Sequence, residues 1–236
     1  MTAPDDLMGS VRLGTEFFRR HLDTFLDAAL AGESLLPGWT RAHVVAHVAY
    51  NARAIGRLAQ WAATGVETPM YASVDVRNAE ITEGVLLASD ALVRLFDDSA
   101  ASLDRHWREL PDESWTFPVR NGQGRMVPLG DTVWMRTREV WIHAVDLNDG
   151  SSFEDIPVPV LERILGDIAG AWQGRDEPGI RLSLTGPRVV ELGPADAAVH
   201  VKGSLAALTN WAAGRGSAGV TLGTGTGIVP AAPRWL

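Results

Sequence analysis

Four side chains that can bind a metal ion are spaced to fall on the faces of two helices. His43 and His47 are four residues apart, and so are Glu139 and His143. Because residues at i and i+4 share one face of an α-helix, each pair can point at the same neighbour. Two imidazoles and one carboxylate form the open three-ligand set of a catalytic zinc site, which leaves one position for water or substrate. The spacing alone does not decide whether His43 or His47 would join Glu139 and His143.

Ordinary packing is the alternative to a metal site. A Glu–His pair on an exposed helix is most often a solvated surface pair, and a single histidine on an apolar face is more often a hydrogen-bonded core residue. The neighbours favour burial here, since valines and alanines surround His47, and Val140, Trp141 and Ala144 surround His143. Burying ionisable groups is unfavourable unless they are paired or bound to a metal. The context therefore favours metal ligation.

The composition restricts both the ligands and the partners. The 236 residues contain no cysteine, which excludes disulfides, thiolate nucleophiles and cysteine-bound metals. A net charge of −8 without a basic run argues against a nucleic-acid partner. We find no secretory signal and no apolar run of about 20 residues, the length that a membrane span needs. A cytoplasmic globular protein without a membrane partner is therefore expected.

Four helices in the first 150 residues are predicted to carry these side chains. They cover residues 7–30, 41–64, 89–109 and about 132–147. The first has an apolar stripe at three- and four-residue steps, and Thr40 and Gly65 bound the second as N-cap and C-terminal stop. Residues 67–78 are predicted to wrap across the surface, and residues 115–129 to form a short hairpin. The expected architecture is a four-helix unit.

A break at residues 148–152 predicts a boundary between domains 1–150 and 151–236. The second part changes from helices to short strands. Its predicted elements are a helix over 157–172, strands over 180–184, 189–192 and 198–202, a helix over 204–213 and a glycine-rich stretch over 214–227. The fold class is therefore α+β, with an N-terminal four-helix bundle and a smaller C-terminal α+β domain.

Two sequence blocks carry a resemblance to a known family. They are GWTRAHVVAHVAYNA at 38–52 and WMRTREVWIHAVDL at 134–147. Together they resemble the mycothiol-dependent maleylpyruvate isomerases of actinobacteria, within the wider DinB-like superfamily of thiol-dependent metalloenzymes. The similarity extends to residues 67–71, 213–216 and 233–236. It spans the chain except for about 175–199, where no alignment is evident.

This resemblance implies a specific site. The family's zinc ligands fall on His47, Glu139 and His143, which selects His47 over His43. His43 would then be an outer or core residue one turn earlier. A catalytic arginine from the second domain falls on Arg215. Glycines on both sides of it would let the backbone approach a ligand, although a cation at a helix end is its ordinary interpretation.

The resemblance also implies the reaction and its cofactors. Mycothiol and zinc would serve the cis–trans isomerisation of maleylpyruvate to fumarylpyruvate in aromatic catabolism through gentisate. Thiolate addition, bond rotation and elimination would restore the trans alkene. Because the chain contains no cysteine, the thiol must come from an external cofactor, and zinc can deprotonate a coordinated thiol.

The substrate is a dianion and the chain is acidic, so a localised cation is required. Arg215 is the first candidate. Arg77, Arg136 and Arg138 are weaker candidates for this cation, and they are expected instead to be structural ion-pair partners of acidic residues. Asp146 lies one turn beyond the Glu139–His143 pair and is a candidate for orienting a ligand.

Two other functions use the same helical unit. A mycothiol S-transferase of the same superfamily would use the same ligands, and a non-enzymatic ligand-binding bundle would keep only the fold. The arginine-bearing second domain favours the isomerase, and the intact ligand set argues against a binding protein. The expected partners are a small dicarboxylate and a low-molecular-weight thiol, and the chain is expected to be a monomer.

Overall fold

The structure, a computed structural model, describes residues 5–25, 27–175, 179–185, 190–223 and 226–235. The chain divides into two units, Met1–Gly150 and Ser151–Leu236. Helices dominate the first, and the described part of the second combines two α-helices with a four-stranded sheet. This composition confirms the predicted α+β class. None of the described helices is both long enough and apolar enough to cross a lipid bilayer.

Five α-helices and one hairpin build the first unit. The helices are α1 Asp5–Leu22, α2 Arg41–Thr64, α3 Val74–Val85, α4 Ser89–Glu109 and α5 Asp131–Asp146, and the hairpin strands are β1 Pro118–Arg120 and β2 Met126–Pro128. Helix α2 packs mainly against α4, and α1 against α5. Phe18 of α1 stacks on Phe96 of α4 with ring centroids 4.8 Å apart, and both rings are buried. All four predicted helices are present.

Two predictions in this unit are wrong in part. The helix expected over 7–30 ends at Leu22, and residues 27–31 form a separate 3-10 turn. The Thr24 hydroxyl donates to the carbonyl of His21 and so competes with continuation of the helix. Leu26, part of the predicted stripe, lies outside the described residues.

The stretch expected to wrap over the surface instead enters helix α3. Ser73 caps it by accepting a hydrogen bond from the backbone of Val76. Only Ile81 and Gly84 of this helix are buried. A helix with so small a buried face shows no apolar stripe in the sequence, which is why its periodicity did not reveal it.

The start of α2 is fixed to the end of α5. The Arg41 guanidinium donates to the carbonyls of Leu147, Asn148 and Ala29 over 2.8–3.0 Å. At its other end, α2 stops at Gly65, whose φ of 72° is a left-handed conformation that suits glycine. These caps set the length and position of the helix that carries His47.

The second unit packs one helix against a mixed sheet and another helix against the first. Its elements are α6 Val158–Gln173, β3 Ile180–Leu184, β4 Val190–Leu192, β5 Val199–Gly203, α7 Leu205–Ala212 and β6 Val220–Leu222. The strand order is β4-β3-β5-β6, with β3 and β5 parallel and the outer pairs antiparallel. Helix α7 packs against β3, β5 and β6 and against α6. Strand β6 lies in the predicted glycine-rich stretch, and Val189 of the predicted second strand is outside the described residues.

An irregular segment, residues 226–235, follows the sheet and is held by side-chain donors. The indole N–H of Trp211 donates to the Pro230 carbonyl at 2.8 Å, and that of Trp172 donates to the Pro233 carbonyl at 3.2 Å. Arg175 donates to the carbonyls of Arg234 and Trp235. The segment is therefore fixed through its main-chain oxygens.

Candidate metal centre

His47 lies on α2 with its ring turned towards α5. It is 8% exposed, and its Nε2 is 2.8 Å from Oε2 of Glu139. The ring also meets Trp39 edge-on, with centroids 5.6 Å apart. One imidazole nitrogen is thus directed at a carboxylate inside the helical unit.

Glu139 and His143 reach the same point from α5. The Nε2 atom of His143 is 3.3 Å from Oε2 of Glu139. The two imidazole rings are nearly perpendicular, at 87°, with centroids 4.8 Å apart. One ligand atom from each of His47, Glu139 and His143 lies within 4.8 Å of the other two. The structure therefore brings together the three residues that the resemblance implied.

A buried arginine links the two helices at this level. Arg136 is 1% exposed, and its Nη1 donates to the Val48 carbonyl at 2.6 Å and to Oδ1 of Asn51 at 3.0 Å. Arg136 precedes Glu139 by one turn of α5, and Val48 follows His47 on α2. The contact therefore sets the register of the two helices that supply the cluster. Its partners are a carbonyl and an amide, so the expected pairing with an acidic side chain is wrong for this residue.

The buried cluster shifts the pKa of each member. Burial raises the pKa of Glu139, but hydrogen bonds from His143 and His47 outweigh it and hold that pKa well below its usual value. Burial lowers the pKa of His47, and its hydrogen bond with Glu139 only partly offsets this. Burial also acts on His143, but hydrogen bonds with Asp146 and Glu139 raise its pKa to about 9. Near neutral pH, the metal-free cluster thus contains a carboxylate, one cationic imidazole and one neutral imidazole.

Asp146 supports His143 from behind. Its Oδ2 is 2.7 Å from Nδ1 of His143, and the residue has no exposed surface. The Asp146 carbonyl in turn accepts a hydrogen bond from the Leu35 N–H at 3.0 Å. A carboxylate on the outer nitrogen of a ligating histidine fixes its ring orientation and its tautomer. The orienting role considered for Asp146 thus has the required contact.

His43 caps a helix and does not belong to the candidate metal-binding cluster. Its Nδ1 accepts a hydrogen bond from the Thr40 N–H at 3.2 Å, while the Thr40 hydroxyl accepts one from the His43 backbone. This reciprocal pair is a capping box at the start of α2. His43 is therefore a helix-capping residue, which the sequence spacing did not reveal because Glu and Gln are the usual residues at that position.

Two residues outside the predicted set of metal ligands border the cluster. Nη2 of Arg77, on α3, is 3.3 Å from Nδ1 of His47, the ring nitrogen that faces away from Glu139. Two guanidiniums lie near the Tyr71 ring, with that of Arg57 5.6 Å and that of Arg77 6.0 Å from the ring centroid. Burial raises the pKa of Tyr71 to about 12, which keeps its hydroxyl protonated. No Arg77 ion pair with a carboxylate is present in the described part of the chain, so its expected role as an ion-pair partner is also wrong.

Arg215 lies in the second unit, in the turn after α7. The flanking Gly214 and Gly216 have φ angles of 80° and 104°. Asn210 closes the turn, since its Nδ2 donates to the carbonyls of Arg215 and Gly216 at 3.3 Å each. The guanidinium donates to the Ala213 carbonyl at the end of the helix. This contact matches the ordinary interpretation of a cation at a helix C-terminus.

Comparison with known proteins identifies the family. A family model described as the mycothiol maleylpyruvate isomerase N-terminal domain matches residues 11–148. The chain belongs to the mycothiol maleylpyruvate isomerase family. The model of that family's C-terminal domain matches residues 155–234. No curated protein sequence matches the chain at a significant level.

Two solved structures have the same fold over their full length. One is a crystal structure of the mycothiol-dependent maleylpyruvate isomerase, and the other is a variant of that enzyme with a histidine replaced by alanine. Each is 45% identical to this chain, covers 100% of both chains and superposes with a TM-score of 0.91. The predicted family, fold class and isomerase class are thereby confirmed.

In this member of the mycothiol maleylpyruvate isomerase family, no sequence signal showed that Arg77, a weaker candidate for the substrate-binding cation, and Tyr71 border the cluster. Both come from the segment that was predicted to wrap over the surface. The one local signal of the helix that carries Arg77 is Ser73, because serine is a preferred residue at a helix N-cap. No local pattern indicates that this helix lies beside His47.

Proposed function

We propose that this chain catalyses the cis–trans isomerisation of maleylpyruvate to fumarylpyruvate, with mycothiol as thiol cofactor and zinc as metal. The observation that carries the proposal is the convergence of His47, Glu139 and His143 in a cysteine-free chain. The full-length similarity to a mycothiol-dependent maleylpyruvate isomerase supports the choice of substrate and thiol. The proposal includes aromatic catabolism through gentisate as the pathway, which the family resemblance implies, and the cytoplasm as the location.

The three side chains fit a divalent metal. Two imidazole nitrogens and one carboxylate oxygen suit zinc and leave a position open for a further ligand. The cluster also has an outer carboxylate on His143, as metal-binding histidines usually do. His47, Glu139 and His143 would hold the ion, which supplies a positive charge that lowers the pKa of a bound thiol. A net charge of +1 for zinc with these ligands favours one more anion.

The remaining roles fall to the chain's own side chains. When bound, mycothiol would supply the nucleophile that makes rotation about the substrate's double bond possible. Asp146 keeps the His143 ring and its tautomer fixed, and Arg136 keeps α5 in register with α2. We assign to Arg215 the stabilisation of negative charge that develops on the substrate carbonyl oxygen. The glycines on both sides of Arg215 leave the backbone unobstructed for a ligand.

The decisive experiment is a spectroscopic assay of maleylpyruvate turnover by zinc-loaded protein. Turnover with mycothiol, and none or much less with glutathione, is the expected result. Turnover with neither thiol would contradict the isomerase proposal and favour a mycothiol S-transferase, which an electrophile-conjugation assay with the same preparation would detect. Zinc content measured on that preparation shows whether the metal was present in the assay.

A further inference from the structure

Arg77 differs from the neighbouring arginine in the partners available to it. Arg57, whose guanidinium also lies near the Tyr71 ring, donates to the Met70 carbonyl and has the Glu80 carboxylate at 3.5 Å. Arg77 contacts His47 and donates to the amide oxygen of Asn78 at 3.2 Å. Within the described residues it forms no ion pair with a carboxylate. A half-buried guanidinium beside a candidate metal site therefore has no anion of the protein as its partner.

The contact between Arg77 and His47 is incompatible with metal binding through Nε2. Nε2 of His47 faces Glu139 and His143, so it is the nitrogen that would bind the ion. A neutral histidine bound through Nε2 carries its proton on Nδ1, which then becomes a donor. A guanidinium offers donors only. Two donors would face each other over 3.3 Å, so the Arg77 side chain must turn away from His47 when the site is loaded.

We propose that Arg77 binds one carboxylate of the substrate beside the metal, in a subsite formed with Tyr71. This inference rests on the proposed function, because it takes the substrate to be a small dicarboxylate. The planar fork of a guanidinium matches a carboxylate in a bidentate arrangement. The Tyr71 ring supports the guanidinium, which lies 6.0 Å from its centroid.

The charge balance favours a cation beside the metal. Zinc with two neutral imidazoles and one carboxylate carries +1, which the thiolate of mycothiol would neutralise. Without thiol, the metal and the released Arg77 together match the two charges of a dicarboxylate; with thiol bound, Arg77 still supplies a positive charge for one substrate carboxylate in a chain whose net charge is −8. The arginine of the second unit, Arg215, is then left for the charge that appears during the reaction.

Calorimetry of maleate binding to the zinc-loaded, thiol-free full chain tests the inference. Maleate is a cis-dicarboxylate, and it does not react in this assay because no thiol is present. The variant Arg77→Gln should bind it roughly 10- to 100-fold more weakly than the unmodified chain, and Arg77→Lys should fall between the two because it keeps the charge and loses the fork. Arg94→Gln is the matched control. It removes the same charge from an exposed pair with Asp90 and should leave maleate affinity unchanged.

Zinc affinity and kinetics separate substrate binding from a purely structural role. Arg77→Gln should keep zinc affinity or raise it, since a cation beside His47 is removed, and should raise KM with kcat little changed. A tenfold loss of zinc affinity would show that Arg77 supports His47 and would overturn the inference. Unchanged maleate affinity, or no maleate binding by the unmodified chain, would also overturn it.

The proposed function fails by a different result. If the unmodified chain binds maleate through Arg77 but does not turn over maleylpyruvate with either thiol, the carboxylate subsite stands and the isomerase is refuted. An active chain whose KM is insensitive to Arg77→Gln would keep the isomerase and refute the subsite.

Discussion

The two places with a predicted functional role are held by opposite kinds of structure. His47, Glu139 and His143 project from helices of 24 and 16 residues and are largely enclosed. Arg215 projects from a turn between two glycines and is half-buried. Three ligand atoms must converge within a few ångströms before an ion arrives, which requires rigid supports. A single long side chain needs only a fixed base, and Asn210 provides one by closing the turn.

Removal of one metal ligand should have the largest effect. His47→Ala is expected to lose bound zinc and to lower turnover by about 10³-fold or more, because no three-ligand set remains. Zinc content by atomic emission and the maleylpyruvate assay measure both quantities. The control is His43→Gln, one turn earlier on α2, where glutamine can keep the capping box. Full zinc content in His47→Ala would refute both the isomerase and the transferase.

Arg215→Ala tests the other half of the comparison. It should keep zinc and lower kcat by about 10²- to 10³-fold, which is the typical effect of removing one group that stabilises developing charge. Arg181→Ala is the charge-matched control in the same unit, because Arg181 pairs with Glu191 on the sheet. Activity unchanged by Arg215→Ala would leave that residue with its helix-end role alone.

Asp146→Asn weakens the support of a ligand without removing the ligand. Zinc affinity should fall by about 10- to 100-fold, the usual effect of losing an outer partner of a metal-bound histidine. Competition with a chromogenic chelator measures this affinity. An unchanged affinity would mean that the helices alone hold His143 in place.

Proton release on zinc binding tests the charge state of the enclosed site, and it is the smallest of the expected effects. The pKa of His143 in the metal-free chain is raised to about 9, so this residue is protonated near neutral pH. Zinc needs neutral imidazole, and so binding at pH 7.5 should release about one proton from His143. Glu139 and His47, with lowered pKa values, should release almost none. Zinc affinity should therefore fall about tenfold per pH unit below pH 9.

Calorimetry in buffers of different ionisation enthalpy counts the released protons. Asp146→Asn should reduce the count, because the hydrogen bond to Asp146 is a major cause of the raised pKa of His143. Release of no proton by the unmodified chain would contradict the charge state described for the cluster.

Most helices and strands were predictable because their sequence signals are local. Thr40 and Gly65 bound α2 as expected, and strand Ile180–Leu184 was predicted at its observed limits. Helix α3 and strand β6 were missed, since one has almost no buried face and the other lies among glycines. Both depend on neighbours that are distant in sequence.

The candidate site was predictable only in part for the same reason. Spacing showed that Glu139 and His143 share a face, but only the family resemblance separated His47 from His43. The capping role of His43 depends on a side-chain contact with Thr40. The approach of Arg77 to His47 depends on the packing of α3 against α2, which no local pattern encodes.

The irregular segment 226–235 has a consequence for sequence variation. Its anchors, Trp172, Trp211 and Arg175, hold carbonyl oxygens, which every amino acid possesses. Two of those oxygens belong to Pro230 and Pro233, which have no N–H to satisfy. Substitutions within the segment should therefore be tolerated much better than substitution of either indole. The two anchoring tryptophans would also report detachment of the segment through a change in intrinsic fluorescence.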